Sequence, residues 1–415
     1  MSTKMTNKVA NKRTNKRTDE RTDERTDKMN SIKQLSFAFI STCLCLFVAG
    51  QVVAKAGDVD YGGSILFDFD SFDGAYSTEG EEAVSGGDES ELRRAQLYLK
   101  LGLTKNWASK LQVAYDEQDS RTEVKDAYIV YKGWDFADII IGQDKEPFSL
   151  DLMTSLKNSS AIERSIASQA FRIGRNHGVN LSSDSNDYSW SVGIYDVGEY
   201  GSDIAQGGGG KLALTGRFTL SPVNSDEEVL HFGSSFSLRD LDGAEFEVES
   251  NAEVHSSADV LDTRNFQADS LDQFALESAW VKGRTALVAE AFYQDITAKL
   301  SSESAIYTGY YIQGSYFISN DSLRYKKGRF SSVRPNAESG AWQLVLRHSY
   351  LDAEDNQDGM EITNSLLGVN YYYQKAFKLM LNFTRTELSG YDLNGSNMDA
   401  LDSGDAISFR TQYRF

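Results

Sequence analysis

The 415 residues include 42 Lys and Arg against 61 Asp and Glu, a net charge of −19, with 22 Phe, 21 Tyr and 3 Pro. That acid excess, with no dominant basic face, argues against nucleic-acid binding. Two cysteines and 4 histidines leave no disulfide framework, Cys metal centre or H-E-x-x-H zinc motif.

The first 28 residues contain a four-residue repeat, NKRT then DERT, with no apolar position. Such a segment cannot bury a core and is expected to be disordered, ahead of a true start at Met29. From Met29 to Ala56 the pattern is that of a secretory signal. Lys33 supplies the positive end, an apolar run spans Leu35 to Val48, and Ala54-Lys55-Ala56 forms an A-x-A cleavage site. Both cysteines, Cys43 and Cys45, fall in that run. A membrane anchor is the alternative, because Leu35–Ala54 is nearly long enough to span. Residues 1–56 carry 11 basic against 5 acidic groups, so residues 57–415 carry −25.

From Gly57 onward apolar and polar residues alternate in short segments. Leu97, Leu99, Leu101 and Leu103 share one face, with Arg94, Gln96, Tyr98 and Lys100 on the other. Leu111 and Val113 oppose Lys110 and Gln112, and Tyr188, Trp190, Val192 and Ile194 continue the pattern. Leu212, Leu214 and Phe218 oppose Lys211, Thr215 and Arg217; Leu230, Phe232, Phe236 and Leu238 oppose His231, Ser235, Ser237 and Arg239. Trp342, Leu344 and Leu346 stand against Gln343 and Arg347, and Phe377, Leu379, Leu381 and Phe383 against Lys378, Asn382 and Thr384. The chain ends on Ile407, Phe409, Tyr413 and Phe415 against Ser408, Arg410, Gln412 and Arg414.

Segments of about ten residues with one apolar face are what a membrane-spanning strand needs. A soluble sandwich alternates too. Long charged side chains on the polar faces favour a wet lumen, and aromatics at segment ends (Tyr371–Tyr373, Tyr310, Tyr311) favour interfacial girdles. The expected fold is all-β, a transmembrane antiparallel β-barrel. At roughly 22 residues per strand and connection, it has about sixteen strands around an aqueous channel. Asp70–Glu91, Ser221–Glu228, Asp240–Asp269 and Asp352–Glu361 read as long acidic external loops. Thr104-Lys105-Asn106 and Gln374-Lys375 read as short periplasmic turns.

The stretch from Gly142 to Val179 has neither period and holds Pro147. It reads as a loop, near 144–178, that folds inward and narrows the channel; an ordinary surface loop is the alternative. Between Asp144 and His177 it has five basic residues (Lys145, Lys157, Arg164, Arg172, Arg175) against Asp144, Glu146, Asp151 and Glu163.

Several stretches, in order along nearly the whole chain after Ala56, resemble the phosphate-selective porins O and P of Gram-negative outer membranes. They are Lys125-Asp126-Ala127-Tyr128, Gly142-Gln143-x-Lys145-Glu146-Pro147-Phe148-Ser149-Leu150, Glu163-Arg164-Ser165 and Gly174-Arg175-x-x-Gly178-Val179. Gln313-Gly314-Ser315-Tyr316-Phe317, Tyr325-Lys326-Lys327-Gly328 and Trp342-x-Leu344-Val345-x-Arg347-x-Ser349-Tyr350-Leu351 complete the set. Ile166 and Ala167 stand where the family pattern places a nearby proline. The resemblance implies a sixteen-stranded barrel, commonly a homotrimer, with its third loop in the pore and a positive pathway for phosphate-like anions. It implies that Arg93 and Arg94 face or flank the lumen. Lys157 and Arg164 would sit on the constricting loop, Arg172 and Arg175 at its return, and Lys326 and Lys327 on a later loop bending toward the entrance.

With inward Lys100, Lys211, Arg217, Arg239 and Arg347, these residues form the expected anion track, in which Arg and Lys replace hydration with charge-assisted hydrogen bonds. The alternative for each is pairing with inward Asp116, Asp126 or Glu290, or with lipopolysaccharide phosphates at the rim. The expected function is passive diffusion of small anions, phosphate or polyphosphate, across the outer membrane without cofactor, among outer-membrane lipid and lipopolysaccharide. A general, weakly selective porin is the main rival. A hydrolase would need His231 with Ser235, or His177 beside the constriction, and no nucleophile motif frames either. An adhesin or calcium role would use the acidic loops, but Asp68-x-Asp70-x-x-Asp73-Gly74 lacks EF-hand spacing.

Overall fold

The computed structural model describes residues 58–79, 82–83, 87–117, 120–197, 205–206, 211–263, 265–300, 304–354, 359–391 and 403–415. The repeat and signal segments, 1–56, lie outside them. Sixteen strands follow the alternating segments. The first eight are β1 Val59–Phe72, β2 Gly87–Gly102, β3 Trp107–Asp116, β4 Arg121–Tyr131, β5 Asp138–Lys145, β6 Arg175–Asp184, β7 Tyr188–Asp196 and β8 Leu212–Asn224. Then come β9 Glu228–Phe246, β10 Phe266–Lys282, β11 Thr285–Ala298, β12 Ala305–Phe317, β13 Ala341–Asp352, β14 Gly359–Tyr373, β15 Phe377–Tyr391 and β16 Ser403–Arg414. Each pairs antiparallel with its neighbours, and β1 pairs with both β2 and β16, so the sheet closes. Closure removes every free edge, which a bilayer demands because lipid offers the backbone no hydrogen-bond partner.

Which face turns outward separates a barrel from a sandwich. Leu346, Phe218 and Ile407 are 63%, 50% and 52% exposed, while Gln343, Thr215 and Ser408 on the opposite faces are buried. Apolar residues outside and polar residues inside is the pattern lipid selects. Aromatic rings gather where short turns join the strands: Trp107 lies 4.9 Å from Tyr131, Trp342 4.7 Å from Tyr371 and Phe377 4.8 Å from Tyr413. Thr104-Lys105-Asn106 and Gln374-Lys375 are turns at this end.

Three expectations change. Tyr311 is not a girdle residue; it is buried in the lumen, its hydroxyl 2.7 Å from Glu290. Ser221–Glu228 is not an external loop, because β8 runs to Asn224 and β9 starts at Glu228, leaving a three-residue turn closed by Ser225 N to Glu228 O at 2.9 Å. Asp240–Asp269 is only partly loop, since β9 runs to Phe246.

The motif glycine Gly142 shows how tightly the β4–β5 wall is built. Its φ is +129°, and a Cβ there would sit 2.3 Å from the Ala127 carbonyl oxygen. Gly142→Ala is therefore expected to cost about 1–3 kcal/mol of barrel stability. The readout is the temperature at which the folded barrel's fast-migrating electrophoretic band is lost; an unchanged temperature contradicts it.

Candidate functional site

The constricting loop spans 146–174, between the short strands β5 and β6. It leaves the wall at Glu146, which is buried and accepts from Asn176 (2.6 Å), Arg239 (2.5 Å) and Thr215. Ser149 takes a φ of +62° and caps helix α1, Leu150–Met153, by accepting from Leu152 N at 3.2 Å. Glu290 on β11 accepts from Leu150 N (2.8 Å) and Asp151 N (2.7 Å), two amides that the first turn of α1 leaves unpaired. Ser165 caps α2, Ile166–Ala170, through Ser168 N at 3.1 Å.

Between the helices the loop has few backbone partners of its own, so the wall supplies them. Gln412 donates to Lys157 O (3.1 Å), Lys378 to Ser159 O (2.5 Å), Asn370 to Ser160 O (2.7 Å), Arg410 to Ile162 O (2.5 Å) and Arg347 to Glu163 O (3.0 Å). Strands β13–β16 thus grip the loop's main chain.

That grip changes the meaning of the inward arginines. Arg217 holds Glu277 bidentately at 2.8 and 2.9 Å, Arg239 pairs with Glu146, and Arg347 with Glu253. Arg93 lies on Glu163 (2.9 Å) and Asp116 (2.6 Å). Register explains why neighbouring Arg93 and Arg94 both reach Asp116: the β1–β2 ladder slips between Leu66 and Asp68, a bulge that re-aims one of them. Arg93, Arg217, Arg239 and Arg347 are therefore lumenal but sealed beneath loops, each against a carboxylate.

Other inward residues are less enclosed. Arg94, Gln96 and Tyr98 on β2, Lys110 and Gln112 on β3, Tyr128 on β4 and Asp144 on β5 are half-buried, and Tyr98 and Lys110 lie near Lys157 of the constricting loop. Asp126 between them accepts from Lys110 and from Arg175 (2.7 Å). Lys100 and Lys110 stand directly opposite each other in register, an unfavourable pairing that Asp60, 2.9 Å from Lys100, and Asp126 offset. From the loop, Lys157 extends its ammonium to 5.6 Å from the Tyr98 ring, which Lys100 approaches to 4.9 Å. Burial, with Arg414, Lys110 and Lys100 nearby, pulls the Lys157 ammonium down to about 8. Arg164 donates to Leu152 O (3.3 Å) and Thr154 O (2.9 Å), and burial lowers its guanidinium below the usual value. Asp151 is the loop carboxylate beside it.

Of the remaining predicted residues, Arg172 is exposed at the loop's return and Lys211 pairs with Asp242 at 2.8 Å. Lys326 is exposed, and Lys327 pairs with Asp184. Their loop, 318–340, does not bend toward the long-loop entrance. It joins β12 to β13 at the short-turn end and enters the lumen from there, with Gly328 O accepting from Arg217 at 2.6 Å.

Sequence reasoning named Asp116, Asp126 and Glu290 as inward acids but missed Glu146, Glu253 and Glu277 as the partners of Arg239, Arg347 and Arg217, and missed the inward 247–263 loop. Glu277 and Glu290 face each other in register inside the wall, a pairing that demands donors and was legible from the alternation. The 247–263 connection also folds inward: Glu253 and Ala252 reach α2 and β14. His231 is buried, with Nδ1 2.6 Å from the Tyr325 hydroxyl, while Ser235 accepts from Ser149 N at 3.0 Å, so the two form no dyad. His177 is not beside the constriction; it is exposed on the face of β6 opposite buried Asn176. Ligand atoms of Glu91, Asp116 and His255, and of Asp68, Asp70 and Glu91, lie within 4.8 Å of one another. Arg93, Arg94 and Arg410 already supply the cations there. Burial and Arg93 hold His255 well below its usual value, so it is neutral beside Glu91.

A family profile described as phosphate-selective porin O and P matches residues 59–415. Porin O of Pseudomonas aeruginosa is 25% identical over 460 aligned residues, covering 92% of this chain and 100% of that protein. The anion-selective porin from Comamonas acidovorans superposes with a TM-score of 0.54 at 12% identity, over 86% of this chain and 100% of that one. The trimer form of in-vitro folded OmpT of Vibrio cholerae gives 0.52 at 12% identity, over 87% and 100%.

Proposed function

Because this chain belongs to the phosphate-selective porin O and P family of Gram-negative outer-membrane channels, we propose that its accessible lumenal sector passes small anions, phosphate-like oxyanions among them, in preference to cations. The observation that carries this reading is Lys157: it projects from the constricting loop among Lys100, Lys110 and Arg414, beside Tyr98. Lys110 and Arg175 both pair with Asp126, and Asp144 stands beside them, so this cluster offers donors without a net positive excess and leaves Lys157 to set the sign. An anion crossing here exchanges part of its hydration for ammonium and guanidinium donors, and several moderate sites let it leave again. The same reading takes passage as passive diffusion without chemistry and the working unit as a homotrimer set among lipid and lipopolysaccharide; porin O of Pseudomonas aeruginosa and the trimeric form of OmpT support the comparison.

Planar-bilayer recording of the purified channel across a KCl gradient tests it. The expected reversal potential lies on the anion side, and added phosphate at millimolar level reduces the current. A cation-side potential without phosphate block leaves a general porin that keeps the family frame alone.

A further inference from the structure

We propose that Glu253, in the 247–263 loop between β9 and β10, is a positioning residue that fastens the Arg164-bearing turn of the constricting loop across the lumen. Glu253 is 3% exposed and touches no solute path, so it acts through what it holds. Its Oε1 accepts from Ile166 N at 2.9 Å and from Ser349 Oγ at 2.5 Å, while Oε2 takes Arg347. The other arm of Arg347 donates to Glu163 O at 3.0 Å. One buried ion pair therefore pins the chain on both sides of Arg164. A second tie runs through Gln169, which accepts from Ser250 Oγ at 2.5 Å and donates to Arg164 O at 3.1 Å.

The backbone here is held under strain, as expected of a segment kept in place for a purpose. Ala252 and Glu253 have φ of +46° and +78°, a left-handed conformation that side-chain-bearing residues adopt at a cost. It persists because Ala252 O accepts from Asn364 Nδ2 (2.9 Å) and the Tyr76 hydroxyl (3.2 Å), fixing the tip from β14 and from the first loop. Four elements thus converge on two residues: the 247–263 loop is wedged so that its carboxylate meets the amide of Ile166, the first residue of α2.

The inference rests on reading Arg164 as path-lining, but its test separates the two. Full mature channels carrying Glu253→Ala, Glu253→Gln, and Glu253→Ala with Gln169→Cys and Ser250→Cys are recorded singly in planar bilayers. The 359 residues after Ala56 contain no cysteine, so a short bifunctional thiol reagent joins only the introduced pair. Glu253→Ala is expected to keep the folded-barrel band on gels yet show several-fold more open-channel noise, with substates and a reversal potential nearer zero. Glu253→Gln keeps the acceptor for Ile166 N and falls between. Bridging the two cysteines restores the quiet trace, which a general loss of stability would not allow. A Glu253→Ala trace as quiet as the native one, or noise that bridging leaves untouched, overturns the proposal. Should Glu253→Ala not assemble, the same pair bridged in the otherwise native chain decides: unchanged conductance supports a loop already docked, and altered conductance overturns it. A native channel that reverses on the cation side sinks the anion reading while leaving the noise readout to judge Glu253.

Discussion

Arg410→Met is expected to destabilise the folded barrel by about 3–5 kcal/mol, the largest single effect in the lumen, because it strips a buried charge network of its hub. Arg410 is 1% exposed and donates to Asp68 at 2.6 and 2.5 Å, to Glu163 at 2.6 Å and to Ile162 O at 2.5 Å. Methionine fills nearly the same length, so the loss is not chiefly a cavity. Asp68 is left as a buried carboxylate facing a thioether, and Glu163 keeps only Arg93. Removing one partner of a buried pair costs far more than removing both. Arg410→Met with Asp68→Leu should therefore recover much of the loss, read as the temperature at which the folded electrophoretic band disappears. Equal melting of native and Arg410→Met barrels would show that the network contributes nothing to stability.

This network also marks the limit of what the chain discloses unfolded. The alternation at Phe377–Thr384 and Ile407–Phe415 specified which side chains turn inward, because a period of two admits only two faces. The irregular stretch after Gly142 was legible as a loop folded into the pore, since it breaks that period, and Lys157 and Arg164 lie on it. The pairings were not legible. Glu163 meets an arginine 247 positions away and Arg347 meets Glu253 94 positions away, contacts set by barrel closure and by loops that carry no periodicity. The inward turn of 247–263 lacked a signal for the same reason, and that of 318–340 was expected only from the resemblance, at the other end of the barrel. An inward arginine read from parity alone could be a solute ligand or a loop fastener, and Arg217, Arg239 and Arg347 are fasteners. Buried pairing is therefore the filter that parity lacks: applied to the predicted track, it removes Arg93, Arg217, Arg239 and Arg347 and leaves Arg94, Lys100 and the loop cations Lys157, Arg164 and Arg172 among the candidates for the solute path.

Neutralising Lys157 is expected to have the largest effect on selectivity, and pH should do it reversibly. The group sits at about 8, so it carries its charge below that value and sheds it above. Anion preference is then full at neutral pH and falls as pH rises from about 7 to about 9, one unit either side of the midpoint. A unit charge about 8 Å from a passing ion, at an effective dielectric of about 40, contributes about 1 kcal/mol, roughly a five-fold factor in occupancy. Lys157→Gln should show that reduced preference at every pH with this titration step removed, and any slope it retains belongs to other groups. Lys157→Arg should hold the preference through about pH 9, since a guanidinium keeps its proton there. Lys157→Glu should move the reversal potential furthest, because it changes the local charge by two. The measurement is reversal potential across a fixed KCl gradient at stepped pH, and a native profile as flat as that of Lys157→Gln would place the selectivity outside the constricting loop. The same series on Arg164→Gln, alone and with Arg172→Gln, would then show whether the loop or the β2–β4 wall sets the sign of the ions that pass.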